Sequence, residues 1–173
     1  MNQPEIIIIA ALAASNRVMG KNGKLPWHIP ADSSRFQNLI NGHAIIMGRT
    51  TWEYDVEKRP ATQCFNVIIS TSTPKDEIAE LQQQYPSNLL FVSSIPKALQ
   101  KVSHHQQAFI VGGAAIYSQT LNLADTWELT LVEGDFEGDT FFPEYEYLIG
   151  DRFEMVNQEN HPGHRYETYK RIV

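Results

Sequence analysis

Asp32 lies in the segment PADSSRFQNLI, which reads as a helix starting at Pro30. With Phe36 and Leu39 it falls at i, i+4 and i+7, so the acid shares a helical face with two apolar residues. A carboxylate on such a face is costly unless it is paired or binds something. Beside an aromatic ring it can hold a flat heterocycle that is cationic or carries an amidine. A structural reading competes with this. Pro suits the first helical position, and an acid in the first turn complements the helix dipole. The run in front, GKNGKLPWH, adds a Gly-rich loop and a Pro-Trp pair to the same stretch.

Two further motifs suit phosphate. In FIVGGAAIY, Gly112 and Gly113 separate an apolar strand from a helix, allowing close backbone approach and leaving amides free at the helix start. It is not the GxGxxG fingerprint, and Gly-Gly also makes tight turns with no ligand. IIMGRTTW repeats the order: strand, Gly48, then a helix start with Arg49, Thr50 and Thr51. An N-capped helix with a surface arginine is the structural alternative. Two such turns favour a dinucleotide, provided both sit at the carboxyl edge of one sheet. EGDTFFP (137–143) reads as a loop with a Gly138-Asp139 turn. The six histidines lack ligand spacing; His104-His105 reads as solvated and HPGH (161–164) as a turn, so no metal site is expected. No Ser/His/Asp arrangement follows from spacing, and Cys64 has no activating neighbours.

The elements that must position these residues alternate. Strands are expected at Glu5–Ala13, His43–Met47, Phe65–Ser70, Leu89–Val92 and Phe109–Val111, with helices at Ala31–Ile40, Lys75–Tyr85, Pro96–Val102 and Ala114–Leu121. Continuous apolar strands between helices imply a largely parallel sheet covered on both faces. From Trp127, WELTLVEG, RFEMVNQE and RYETYKRI alternate more and predict an antiparallel finish. The 173 residues read as one α/β domain with no linker or repeat. A net charge of −6 without a basic stripe argues against nucleic-acid binding. One cysteine excludes an intramolecular disulfide and suits a reducing, cytoplasmic compartment. The run IIIIAALAA (6–14) is too short to span a bilayer, and MNQPE before it lacks the basic start of a secretory signal. It reads as a buried central strand.

Taken in order, these segments resemble dihydrofolate reductase. The matching motifs are IAALAASNRVMGKNGKLPWHIPADSSRF, IMGRTTWE, NVIIS, IVGGAAIY, LTLVEGDFEGDTFFP and the closing hairpin, from residue 9 to the end. The resemblance implies a single-domain, predominantly parallel eight-stranded sheet with flanking helices and an antiparallel C-terminal hairpin. It also implies NADPH-dependent reduction of 7,8-dihydrofolate to tetrahydrofolate, with hydride passing to pterin C6 and a proton to N5. Asp32 matches the carboxylate that bonds the pterin, Thr130 the threonine sharing its network, and Trp27 the tryptophan that orders a water there. Ile9, Ala11, Phe36, Val111 and Tyr117 match residues lining pterin and nicotinamide, with Tyr117 counted among the catalytic positions. Gly20, counted among the cofactor-binding positions, belongs to the matched mobile loop, Asn16–Trp27, which closes over the nicotinamide and which Gly138-Asp139 steadies. Gly48, Arg49, Thr50, Thr51, Ser70, Thr71, Gly112, Gly113, Ala114, Ala115 and Ile116 match NADPH-binding positions, and the Gly112-Gly113 peptide is expected to be cis.

The chain also departs from the family pattern. Ser33 stands where a larger apolar residue usually lines the aminobenzoyl pocket. RPATQCF stands where the family has LPGR, so the arginine that grips the folate α-carboxylate is missing; Arg59 and Arg35 are the candidate substitutes. Ala115 replaces a basic residue that some members use for the 2′-phosphate. The resemblance implies a monomer with a small-molecule substrate and no nucleic-acid or membrane partner. Two alternatives remain: a reductase of a related pterin or flavin-precursor heterocycle, and a catalytically silent ligand-binding homologue.

Overall fold

The computed structural model describes residues 3–173. Strand β1 (Glu5–Ala13) is the apolar run near the N-terminus. Successive side chains of a strand point to opposite faces. Ile6, Ile8, Ala10 and Leu12 therefore join one core, while Ile7 and Ile9 join a second on the other side. A strand covered on both faces has no polar side to show, which is why the run is continuous.

In chain order follow β2 (Val18–Gly20), α1 (Pro30–Ile40), β3 (Ala44–Gly48), β4 (Phe65–Ile69), α2 (Lys75–Gln84) and β5 (Leu89–Val92). Then come α3 (Ile95–Lys101), β6 (Gln107–Gly112), α4 (Ala114–Thr120), β7 (Thr126–Val132), β8 (Thr140–Phe141), β9 (Phe153–His161) and β10 (His164–Arg171). Eight strands form one sheet in the order β5-β4-β3-β6-β1-β7-β10-β9. The first six are parallel. Strand β10 runs antiparallel to both β7 and β9, as the alternation after Trp127 predicts. Phe36, Leu39 and Ile40 of α1 and Leu81 of α2 pack on one face, with Ile7 and Ile9. Ala98 of α3 and Ile116 and Tyr117 of α4 pack on the other. No helix among the described residues is long and apolar enough to cross a membrane.

Four local features differ from the sequence expectation. Strands β2 and β8 pair with each other, Val18 opposite Phe141 and Gly20 opposite Thr140, so EGDTFFP is not wholly loop. At three and two residues they are too short for a periodic pattern. The helix after Gly48 widens into a π-helical turn at Thr51–Asp55, where the Val56 N–H donates to Thr51 O at 3.1 Å. Glu57 and Lys58 then take positive φ values of 52° and 58° to leave it. Helix α3 starts at Ile95, one residue early, because the Ser94 hydroxyl accepts the Lys97 N–H at 3.2 Å. His105 is not solvated like His104 but stacks on Phe65, rings 5.4 Å apart, and the lost solvent lowers its pKa.

Candidate active site

Asp32 sits in the first turn of α1, whose preceding residue, Ile29, offers no side-chain cap. Its half-buried carboxylate accepts the Thr130 hydroxyl at 2.7 Å through Oδ1. Thr130 is buried on β7 directly beside Ala11 of β1. The acid therefore reaches over the carboxyl-terminal half of the central strand. Its other oxygen has no protein partner among the described residues. Ile9 and Ala11 follow Ile7 on the α1 face of β1, with Phe36 and Val111 half-buried nearby.

From the opposite face, the buried Tyr117 hydroxyl donates to the Ile9 carbonyl at 2.7 Å. Burial, and to a lesser degree the charge of Asp55, push this phenol far above its ordinary pKa. The phenol keeps its proton, which holds the Ile9 carbonyl in place. Trp27 packs edge-on to Phe136, ring centres 5.1 Å apart. Its buried indole N–H has no protein partner among the described residues. That state is costly for a buried donor unless water or ligand accepts it.

The two glycine turns lie side by side, since Met47 of β3 is in register with Gly112 of β6. Both end at the carboxyl edge of the same sheet, the condition set for a dinucleotide site. The Gly112-Gly113 peptide is cis, as expected. A Cβ on Gly48 would sit 2.9 Å from Ile116 Cγ1, and one on Gly112, at φ +142°, 2.8 Å from Thr51 Oγ1. Backbone must therefore come close here. Among the polar positions, Arg49, Thr50 and Thr71 are exposed at this edge. Two others are already engaged: the buried Thr51 hydroxyl packs on Gly112-Gly113, and the Ser70 hydroxyl bonds Thr73 Oγ1 at 2.6 Å and accepts the Thr73 N–H at 3.1 Å. Arg49 itself pairs with Glu53 at 2.7 Å. Ala114 is half-buried, Ala115 exposed and Ile116 buried at the start of α4. The cradle of glycine backbone, exposed hydroxyls and one arginine fits the phosphates of a dinucleotide.

The loop from Asn16 to Trp27 is held down by the segment 134–139. Asn16 Nδ2 donates to Phe136 O at 2.8 Å, the Asp139 N–H to Gly20 O at 3.0 Å, and the Asn22 N–H to Asp139 Oδ2 at 3.0 Å. The loop assigned to steadying thus does contact its partner.

On the other side of Phe36 a groove of about 580 Å³ runs past Ile45, Met47 and Val111 to the 59–64 turn. Among the described residues, Arg59 is the only charged side chain lining it. Cys64, in the Gln63-Cys64 stretch matched to the missing arginine, is buried, its thiol raised in pKa by burial and directed at Ile40 O, 3.3 Å away. Ser33 is exposed on α1 and does not line this groove. Nor is Arg35 available as a substitute: its guanidinium pairs with Glu128 at 2.9 Å and lies 4.1 Å from the centre of the Tyr166 ring.

The family model for dihydrofolate reductase matches residues 5–172. The chain belongs to the dihydrofolate reductase family. It is 36% identical over 132 residues to the dihydrofolate reductase of Bacillus subtilis, covering 76% of this chain and 72% of that protein. To the dihydrofolate reductase of Buchnera aphidicola subsp. Baizongia pistaciae it is 34% identical over 168 residues, 95% of each. Among solved structures, dihydrofolate reductase from Enterococcus faecalis complexed with NADP(H) and RAB-propyl superposes with a TM-score of 0.80. That match is 25% identical and covers 99% of this chain and 98% of the other.

Sequence reasoning about this reductase missed Asp55 and Glu128. Asp55 comes to face Thr51 and Tyr117 through the π-helical turn; lost solvent raises its carboxyl pKa and the Thr51 hydroxyl opposes the rise. No local motif announces such a turn. Glu128 lay unread in WELTLV, although strand alternation puts it on the face of Thr130.

Proposed function

We propose that Asp32 is the group through which this dihydrofolate reductase binds and activates the pterin ring. The reaction is the NADPH-dependent reduction of 7,8-dihydrofolate to 5,6,7,8-tetrahydrofolate, an oxidoreductase activity. The observation carrying the assignment is the Asp32–Thr130 pair, placed over Ala11 with one carboxylate oxygen free. With that oxygen open, the carboxylate accepts from the 2-amino group and ring nitrogen of the pterin, and its negative charge favours protonation at N5. Thr130, whose hydroxyl proton already goes to Asp32, holds the carboxylate in plane with the ring. Trp27 offers its unpaired N–H to a water shared with the substrate. Phe36 and Val111 sandwich the ring, while Ile9, its carbonyl fixed by Tyr117, marks the boundary with the nicotinamide. NADPH, when bound, supplies the hydride. Arg49, Thr50 and Thr71 with the Gly48 and Gly112-Gly113 backbone hold its phosphates, and closure of the Gly20 loop excludes water.

Arg59 is the proposed contact for the substrate's carboxylate tail, supported by its position as the one cation on the groove among the described residues. The same reading takes the enzyme as a cytoplasmic monomer acting in one-carbon metabolism and open to antifolates, without nucleic-acid or membrane partners. Its acidity and its single, buried thiol support that reading, and sedimentation tests the monomer.

Asp32→Asn tests the central assignment. The variant is expected to fold and bind NADPH but to reduce dihydrofolate about 10²–10⁴-fold more slowly at pH 7. Acidification is expected to restore part of the rate by supplying pre-protonated substrate. Unchanged turnover at pH 7 would remove Asp32 from the mechanism.

A further inference from the structure

An arginine three residues after an aspartate on a helix lies within reach of it. Arg35 stands in that relation to Asp32, yet its guanidinium goes elsewhere. It bonds Glu128 at 2.9 Å, and Glu128 in turn accepts the Thr168 hydroxyl at 2.9 Å. Both members of the ion pair are largely buried, with side chains 25% and 17% exposed. Strand register explains the geometry. Thr130 lies opposite Tyr166 and Glu128 opposite Thr168, two residues along, so all four share one face of the sheet. Helix α1 crosses that face and is tied to it twice, by Asp32 to Thr130 and by Arg35 to Glu128.

We propose that Glu128 is a positioning residue that holds Arg35 away from Asp32 and so leaves the second oxygen of Asp32 open to substrate. The inference rests on Asp32 being the pterin-binding group. The charged and titratable groups joined to Asp32 across this face are Arg35 on α1, Glu128 on β7 and Tyr166 on β10, with His164 on β10 and Glu159 and His161 on β9 reached through Tyr166. His164 Nε2 is 3.2 Å from the Tyr166 hydroxyl, and His161 pairs with Glu159 at 2.9 Å. Tyr166 lies opposite Thr130, the partner of Asp32, and its phenol is raised in pKa by burial and then by the charge of Asp32. Arg35 is the only permanent cation of the set. With Glu128 neutral, Arg35 turns to the free Asp32 oxygen, competes with the pterin and offsets the negative charge that favours N5 protonation. With Arg35 neutral, the Glu128 charge is left uncompensated and adds to the negative charge beside the pterin.

The test is the pH profile of kcat/KM for dihydrofolate, with direct substrate binding by tryptophan fluorescence, in Glu128→Gln, Arg35→Gln and the double variant. Because N5 must be protonated, the rate falls as pH rises. Glu128→Gln is expected to move that falling limb about one pH unit lower and to raise KM roughly tenfold, with a smaller change in kcat. Arg35→Gln is expected to move the limb upward. The double variant, with an amide facing an amide, is expected to return to within about threefold of the parent. A purely structural pair would lower melting temperature in all three and leave the limb in place, which overturns the proposal. So does a double variant worse than both singles. If Glu128→Gln does not fold, the sign of the Arg35→Gln shift decides alone, an unmoved or lowered limb being fatal. Asp32→Asn separates the two layers: if it is slow while these limbs stay fixed, only the Arg35–Glu128 role fails.

Discussion

Arg49 meets any incoming phosphate with its guanidinium already 2.7 Å from Glu53, four residues along the helix. Exposed pairs of this kind contribute little, so the arginine can exchange its partner for a phosphate at small cost. Arg49→Ala is therefore expected to weaken NADPH by about 1.5 kcal/mol, the low end for a charged hydrogen bond, and to spare NADH. Calorimetric titration of both cofactors checks it. Equal losses would show that Arg49 serves the pyrophosphate or only the fold. Thr51 and Ser70 make the converse point. Their residue types suit phosphate, yet the buried Thr51 hydroxyl turns to Asp55 beside Gly112-Gly113, and that of Ser70 is held in the Ser70–Thr73 turn.

At the scale of elements, β2 and β8 bring the Gly20 loop against Gly138 so tightly that a Cβ there would lie 2.5 Å from both Gly20 O and Val18 Cγ1. Gly138→Val is expected to part the two segments, breaking the Asp139–Gly20 and Asn22–Asp139 bonds. Hydride transfer is expected to slow roughly tenfold or more through lost positioning, while the melting temperature changes little because the contacts are peripheral. Single-turnover kinetics read the first and calorimetry the second. Glu5 binds elements of the sheet together. It accepts from Gln107 of β6 at 2.9 Å, Thr126 of β7 at 2.5 Å and Lys170 of β10 at 2.8 Å. Burial alone raises its pKa, but the three bonds outweigh it and leave the carboxyl below its ordinary 4.5. A lowered pKa means stability present above the unfolded value and lost as pH falls through the folded one. Glu5→Gln is expected to cost about 1–2 kcal/mol at pH 7, with the gap to the parent closing as pH falls below the ordinary carboxyl value of 4.5 in urea unfolding.

For the molecule as a whole, charge and shape set the substrate's tail apart from its ring. The chain carries a net −6, and among the described residues the groove beyond Phe36 has one cation, the exposed Arg59. A bidentate, desolvated arginine would grip a carboxylate far more firmly than a screened one. Removing the glutamate tail is therefore expected to reduce kcat/KM by less than about 3 kcal/mol, mostly through KM. Arg59→Ala is expected to raise KM for dihydrofolate a few-fold and to leave KM for a tail-free dihydropterin unchanged. A larger tail dependence would show a carboxylate anchor elsewhere, and an Arg59→Ala effect on both substrates would place Arg59 in the fold.

Much of this was legible in the sequence because it is local. The doubly buried β1 follows from an unbroken apolar run, the helix around Asp32 from its period, and the two glycine turns from strand-Gly-helix order. The closing hairpin follows from alternation around Pro162-Gly163, where Gly163 takes φ 81°. What needed the tertiary structure depends on partners distant in sequence. Thr130 is 98 residues from Asp32, Glu128 is 93 from Arg35, and Tyr117 is 108 from Ile9. Side-chain types alone left Arg35 a candidate for the substrate's tail; the register of β7 with β10 turned it toward Glu128. Periodicity reports which face a residue occupies, because that is set by bond geometry within one element. Which charge waits on the opposing element is set by how strands pair, and no single segment encodes it.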